Sequence, residues 1–222
     1  MKQIIISFIV VALFFVPLIY TLLNRKYRRF YVPAKMINSA VFVINLCVLT
    51  RISGNSTAFA YLMPGFLLCF AGDLFMGLHN RQVKKQYLLL GTFLFLLGHI
   101  CFISYLYTLS DFTPYDLILP ILGVIGVSVL RRIPSFFLGK FAYAGMVYAI
   151  FVCTMAGKSI QVLWTHPGAK GICLALGGIF FLTSDVLIAP LYFKKKRAWA
   201  VHGLNIGTYY LAMFFIAVSV LL

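Results

Sequence analysis

Two carboxylic acids in this chain stand where a carboxylic acid is costly. Asp73 lies in Leu68-Cys69-Phe70-Ala71-Gly72-Asp73-Leu74-Phe75-Met76, and Asp185 lies in Phe180-Phe181-Leu182-Thr183-Ser184-Asp185-Val186-Leu187-Ile188. Both stretches read as three apolar residues, two small ones, Asp, then three apolar ones. The chain holds only four acids and no Glu, so half of its carboxylates occupy matching apolar settings. An ionised Asp at the centre of a membrane helix costs about 2.5–3.5 kcal/mol on insertion scales, so such residues face a bundle interior. Three purposes suit the pattern. Buried carboxyl groups can serve acid–base catalysis in an enzyme. Intramembrane acids also relay protons in coupled transporters, or simply hydrogen-bond neighbouring helices.

The elements that position these acids must be membrane helices. Of 222 residues, 63% are hydrophobic and 10% charged, with a mean hydropathy of +1.00; a soluble domain carries about 25% charged residues. Apolar segments of about eighteen residues or more recur from end to end, which predicts an all-α polytopic membrane helix bundle. Nothing is left over for a soluble domain, so residues 1–222 read as one integral membrane domain. The net charge of +15 does not imply nucleic acid, because Lys and Arg gather in short loops between apolar segments. A positive-inside bias puts them there, and anionic lipid headgroups are their expected neighbours.

Eight spans are predicted at roughly 3–23, 33–50, 58–79, 86–109, 115–130, 136–157, 169–192 and 199–222. The first has only Lys2 before it and no small-residue cleavage site after it, so it reads as a retained span. The fifth is short, with Asp116 near its start and Pro120 inside it, but without it the charge bias of the later loops would invert. Arg25, Lys26, Arg28, Arg29, Arg81, Lys84, Lys85, Arg131, Arg132, Lys194, Lys195, Lys196 and Arg197 then share one side. Lys2, Arg51 and Lys158 lie on the other, with Lys170 at a span edge. The basic side faces the cytosol, which leaves both termini outside. Spans 3 and 7 then run the same way, and both acids sit roughly 9–12 Å inside the cytosolic end at 1.5 Å rise per residue. Lying four spans apart, they suggest a parallel 4+4 internal repeat.

Several polar side chains can meet the acids at that depth. On span 2, Lys35 and Asn38 form an i,i+3 pair, with Asn45 two turns further on. Lys35 has the alternative of snorkelling to the headgroups. His99 lies near the midplane of span 4, where a hydrogen-bonded packing role competes with a chemical one. Gly91 and Gly98, a heptad apart, suit close helix approach. Tyr148 on span 6, Ser184 beside Asp185, and His202 and Asn205 on span 8 complete the candidates. His79, beside Arg81, reads as part of a solvated basic loop. Metal binding is not expected, since the histidines are dispersed and no HxxxH, HExxH or DxxD occurs. The five cysteines all lie in apolar runs and read as packing residues. No serine-hydrolase elbow, P-loop or dinucleotide fingerprint is present, so no cofactor is expected.

Taken together, several short pieces give the chain a family likeness. They are Gly72-Asp73, the Gly91-x-x-x-Phe95-x-x-Gly98-His99 run, Tyr148, Phe181-x-x-Ser184-Asp185 and Thr208-Tyr209-Tyr210-x-Ala212. In their order and spacing the chain resembles the YhhN-like lysoplasmalogenase family of eight-span membrane proteins. Met36 after Lys35 and Met213 after Ala212 depart from that family's pattern, which has Pro and Gln there. The resemblance implies hydrolysis of the vinyl-ether bond of lysoplasmalogens, a lysophospholipid substrate, to a fatty aldehyde and a glycerophospho-alcohol. Asp73 and Asp185 would supply the acid catalysis, with Lys35, Asn38, His99, Tyr148, Ser184, His202 and Asn205 binding substrate or supporting the acids. A proton-coupled transporter and a non-catalytic lipid-binding protein are the competing classes. A bacterial inner membrane is the simplest location for the protein.

Overall fold

The computed structural model describes residues 2–194 and 199–222, and eight of its helices are long and apolar enough to cross a membrane. Their α-helical parts are α1 (Lys2–Leu23), α2 (Tyr31–Ser53), α3 (Ser56–Gln82), α4 (Lys85–Tyr107), α5 (Ile118–Arg132), α6 (Phe141–Thr165), α7 (Ala169–Tyr192) and α8 (Trp199–Val218), the fifth span reaching its length of 19 residues only with the turn that precedes α5. The protein is therefore a polytopic all-α membrane protein, as its composition requires. Lys195, Lys196 and Arg197, counted above on the cytosolic side, lie outside the described residues.

The fifth span is helical throughout. A 3₁₀ turn over Pro114–Leu117 leads into α5. Pro120 is the third residue of α5, where its missing N–H would have had no partner anyway. The sixth span needs a correction: α6 runs to Thr165, so Lys158 belongs to the helix rather than to an outer connection. The boundary was drawn at the charge. Lys158 is fully buried, and an ion pair to Asp116 at 3.2 Å lets the helix continue past it. His79 also departs from expectation. It is buried inside α3, and its Nδ1–H donates to the Lys84 carbonyl at 2.9 Å, closing the α3–α4 turn. That turn holds Val83 at φ +53°, a conformation a β-branched residue rarely takes.

The chain divides into two compact units, one formed by Met1–Tyr105 with Ala217–Leu222 and the other by Leu106–Ile216. In the first, α1 packs on α2 and α2 on α3. Helices α3 and α4 meet through glycine: a Cβ added at Gly72 would sit 3.3 Å from the Gly91 carbonyl, and one at Gly98 would sit 3.3 Å from the Gly65 carbonyl. Two heptad-spaced glycine pairs thus bring the backbones together, the small-residue packing membrane helices favour. Phe42, Phe66 and Phe102 form an edge-to-face chain through this core, with centroids 5.5 and 5.8 Å apart.

In the second unit, α5 packs on α6 and α6 on α7. A Cβ on Gly178 of α7 would fall 2.9 Å from the Ser159 Cβ and 3.1 Å from the Ala156 Cα of α6. The basic end of this unit is stitched by the Phe137 N–H donating to the Phe193 carbonyl at 2.9 Å. There the Lys194 ammonium also lies 4.8 Å from the Phe136 ring centre. Each unit thus stacks its first three helices in chain order.

Candidate functional site

Within the first unit, Asp73 is 1% exposed and sits beneath one turn of α2. The Lys35 ammonium lies 2.8 Å from its Oδ1, and the Ser39 hydroxyl donates to its Oδ2 at 2.6 Å. Residues 35 and 39 are i,i+4 neighbours, so a single helical turn presents both donors to the same carboxylate. Lys35 therefore takes the acid rather than the headgroups, and is itself 6% exposed. Two charges this deeply buried require each other. Removing one partner of such a pair typically costs about 3–5 kcal/mol, because the other is left uncompensated. The neighbouring Tyr31 lies close enough to Asp73 to feel its charge, and Asn80 hydrogen-bonds it.

Asn38 stands one turn from Lys35 and is 1% exposed. Neither of its amide atoms has a hydrogen-bond partner among the described residues. His99 is fully buried and turns inward on its own helix, its Nδ1–H donating to the Phe95 carbonyl at 2.6 Å.

Within the second unit, Asp185 is half-buried on α7 and accepts a hydrogen bond from the Tyr148 hydroxyl of α6 at 2.9 Å. Its neighbour Ser184 is committed elsewhere. The Ser184 hydroxyl donates to the Asn205 carbonyl at 3.0 Å, and the Asn205 amide donates to the Ser184 carbonyl at 2.7 Å. These reciprocal bonds clamp α7 to α8, so Asn205 serves the Ser184 backbone. His202 is buried on α8, one turn before Asn205.

Of the residues picked from the sequence, Lys35 and Asp73 meet directly, as do Tyr148 and Asp185, and Ser184 and Asn205. The acid follows the tyrosine by 37 residues in the second unit and the serine by 34 in the first. Ser39 was missed. Its one available signal was the i,i+4 spacing from Lys35, and a mid-helix Ser ordinarily bonds its own backbone. No group of three or more potential metal ligands gathers among the described residues.

A second polar cluster was also missed, at the opposite end of α6. The Lys158 ammonium donates to Asp116 Oδ2 at 3.2 Å, to Gln161 Oε1 at 2.7 Å and to the Asp111 carbonyl. Asp116 Oδ2 also accepts from the Tyr107 hydroxyl at 3.1 Å and from the Thr113 N–H at 3.0 Å. All three ammonium protons are used, so the cluster holds the 107–117 connection against α6.

A family model describing the YhhN family matches residues 34–220, most of the chain, and the protein belongs to that family. No curated protein and no solved structure matches it.

Proposed function

We propose that this member of the YhhN family is an intramembrane hydrolase that cleaves the vinyl-ether bond of lysoplasmalogens to a fatty aldehyde and a glycerophospho-alcohol. The observation that carries the reading is the Lys35–Ser39–Asp73 constellation, a carboxylate held by an ammonium and a hydroxyl deep within a pair of membrane helices. A vinyl ether hydrolyses when a proton reaches its β-carbon. The resulting oxocarbenium ion is captured by water, and the hemiacetal collapses to aldehyde and alcohol. The reaction needs one acid that gives a proton and one carboxylate that steadies the cation or activates water, as in glycoside cleavage.

In this reading Asp73 steadies the cation, its two oxygens held in place by the Lys35 ammonium and the Ser39 hydroxyl. Asp185 is the proton donor, with the Tyr148 hydroxyl orienting its carboxyl group. His99 and Ser184 hold their helices in place, and the basic loops draw in the phosphate headgroup. A single-chain lipid enters laterally, its tail lying along the Phe-rich helices.

The test is to incubate purified protein with lysoplasmalogen and measure released aldehyde. Asp185→Asn is expected to abolish release in a folded protein. Asp73→Asn strands a buried ammonium, so it is paired with Lys35→Met; that double variant is expected to fold and to release no aldehyde. Wild-type protein that leaves the lipid intact at every pH would sink the hydrolase reading. Uptake of unchanged lipid into liposomes would instead support a transporter.

A further inference from the structure

Three residues of the first unit carry buried polar atoms that the mechanism above does not use. Asn38 is 1% exposed and both its amide atoms are unpartnered among the described residues. The amide nitrogen of Asn45 is likewise buried and unpartnered, as is the hydroxyl of Ser7, a residue 4% exposed. A buried polar group without a hydrogen bond is costly, and the cost rises where no bulk water can reach it. Such groups persist where something polar comes to meet them.

Their placement is ordered. Asn38 and Asn45 are seven residues apart, so they lie on one flank of α2, separated by two turns or about 10 Å. Phe42, 2% exposed, lies between them. Ser7 is on α1, which packs against α2. It lies within about two turns of the end of α1 that the charge bias places outside, level with or beyond Asn45. From the outer end inward the order is Ser7, Asn45, Asn38, then the Lys35–Asp73 pair. Each group is neutral and each offers a donor, an acceptor or both, which fits neither an anion nor a cation. About three or four hydrogen-bonded waters at roughly 2.8 Å spacing would span the distance between the two amides.

We propose that this flank of α2 holds a file of ordered water that supplies the hydrolytic water to Asp73 from the outer side. The proposal rests on the hydrolase reading for its purpose, but not for its physical content. Hydrolysis within a membrane consumes one water per turnover, in a place where the lipid substrate brings none. Asn38 is the inner terminus of the file, handing water to the carboxylate one turn away. Asn45 and Ser7 are positioning residues along it.

The test uses full-length protein in lipid nanodiscs exposed to a brief X-ray pulse in ¹⁸O-labelled water, with oxidised side chains read by mass spectrometry. Radicals form from water already bound, so Phe42 is expected to oxidise at least fivefold faster than Phe181, which is fully buried in the other unit. Asn38→Leu/Asn45→Leu is expected to lower Phe42 to the rate of Phe181. Wild-type Phe42 as slow as Phe181 overturns the proposal without any variant being needed. The supply role has its own readout: Asn45→Leu is expected to lower kcat for aldehyde release at least threefold with KM unchanged, and an unchanged kcat overturns it. If wild-type protein releases no aldehyde, the hydrolase reading fails while the footprint still decides whether the water file exists.

Discussion

Replacing Lys158 by Met tests the claim that a charge hidden in α6 holds the second unit together. Lys158 is fully buried and Asp116 is 3% exposed, at 3.2 Å. With an effective dielectric constant of about 20, Coulomb attraction at that separation is about 5 kcal/mol. Desolvation of both groups opposes most of it, so the pair contributes little net stability relative to two well-packed apolar residues. The single substitution is different. Met fills the volume of the lysine stem but leaves Asp116 buried and facing no cation, at an expected loss of about 3–5 kcal/mol.

The double variant Lys158→Met/Asp116→Leu removes the stranded charge. It still loses the Asp116 capping bond to the Thr113 N–H, worth about 1 kcal/mol. It also loses the Tyr107 hydroxyl bond to Asp116, worth about another 1 kcal/mol, and should therefore be more stable than Lys158→Met by about 1–3 kcal/mol, although it carries one more change. The assay is equilibrium unfolding in mixed SDS micelles, followed by fluorescence of Trp164 on the same helix. The reasoning is refuted if Lys158→Met unfolds within about 1 kcal/mol of wild type, or if adding Asp116→Leu makes it worse.

Two further outcomes follow from single contacts. Tyr148→Phe removes the hydroxyl bonded to Asp185 and is expected to lower aldehyde release about two- to tenfold, since a hydrogen bond between neutral groups is worth about 0.5–1.5 kcal/mol; wild-type turnover would remove Tyr148 from the site. Gly178→Ala places a methyl group against the Ser159 side chain and the Ala156 backbone, whereas Gly126 has open space around it. The same SDS titration should show Gly178→Ala losing about 1–3 kcal/mol and Gly126→Ala unchanged or slightly stabilised.

How much of this was legible depended on whether the signal was length or partnership. The eight helices follow from runs of apolar residues too long for anything but a membrane span, and the heptad glycines of α4 announced a close neighbour. The Lys35–Asp73 contact was visible as a cation and an acid at one depth on adjacent helices. Lys158 misled because a charge in a hydrophobic run looks like a helix end unless its partner is known, and Asp116 lies 42 residues away in the chain. Asn205 was grouped with the acids by depth. Depth says nothing of which way a side chain turns, and it turns to the Ser184 carbonyl.

The two acids differ in ways a plain structural role would not require. If both only tied neighbouring helices together, one kind of partner would serve in both units. Instead the first unit gives its acid an ammonium and a hydroxyl and buries it completely. The second gives its acid a phenol at the corresponding place on the preceding helix and leaves it half-buried. An ammonium stabilises only the carboxylate, while a phenol can donate to a carboxylate or accept from the neutral acid. The two carboxyl groups thus meet different partners, which suits them to different roles. Acid-catalysed cleavage of an ether needs that difference. A Tyr148→Lys variant would erase it, and is therefore expected to keep the fold while losing the proton donor. Continued aldehyde release by such a folded variant would show that the difference between the two acids has another purpose.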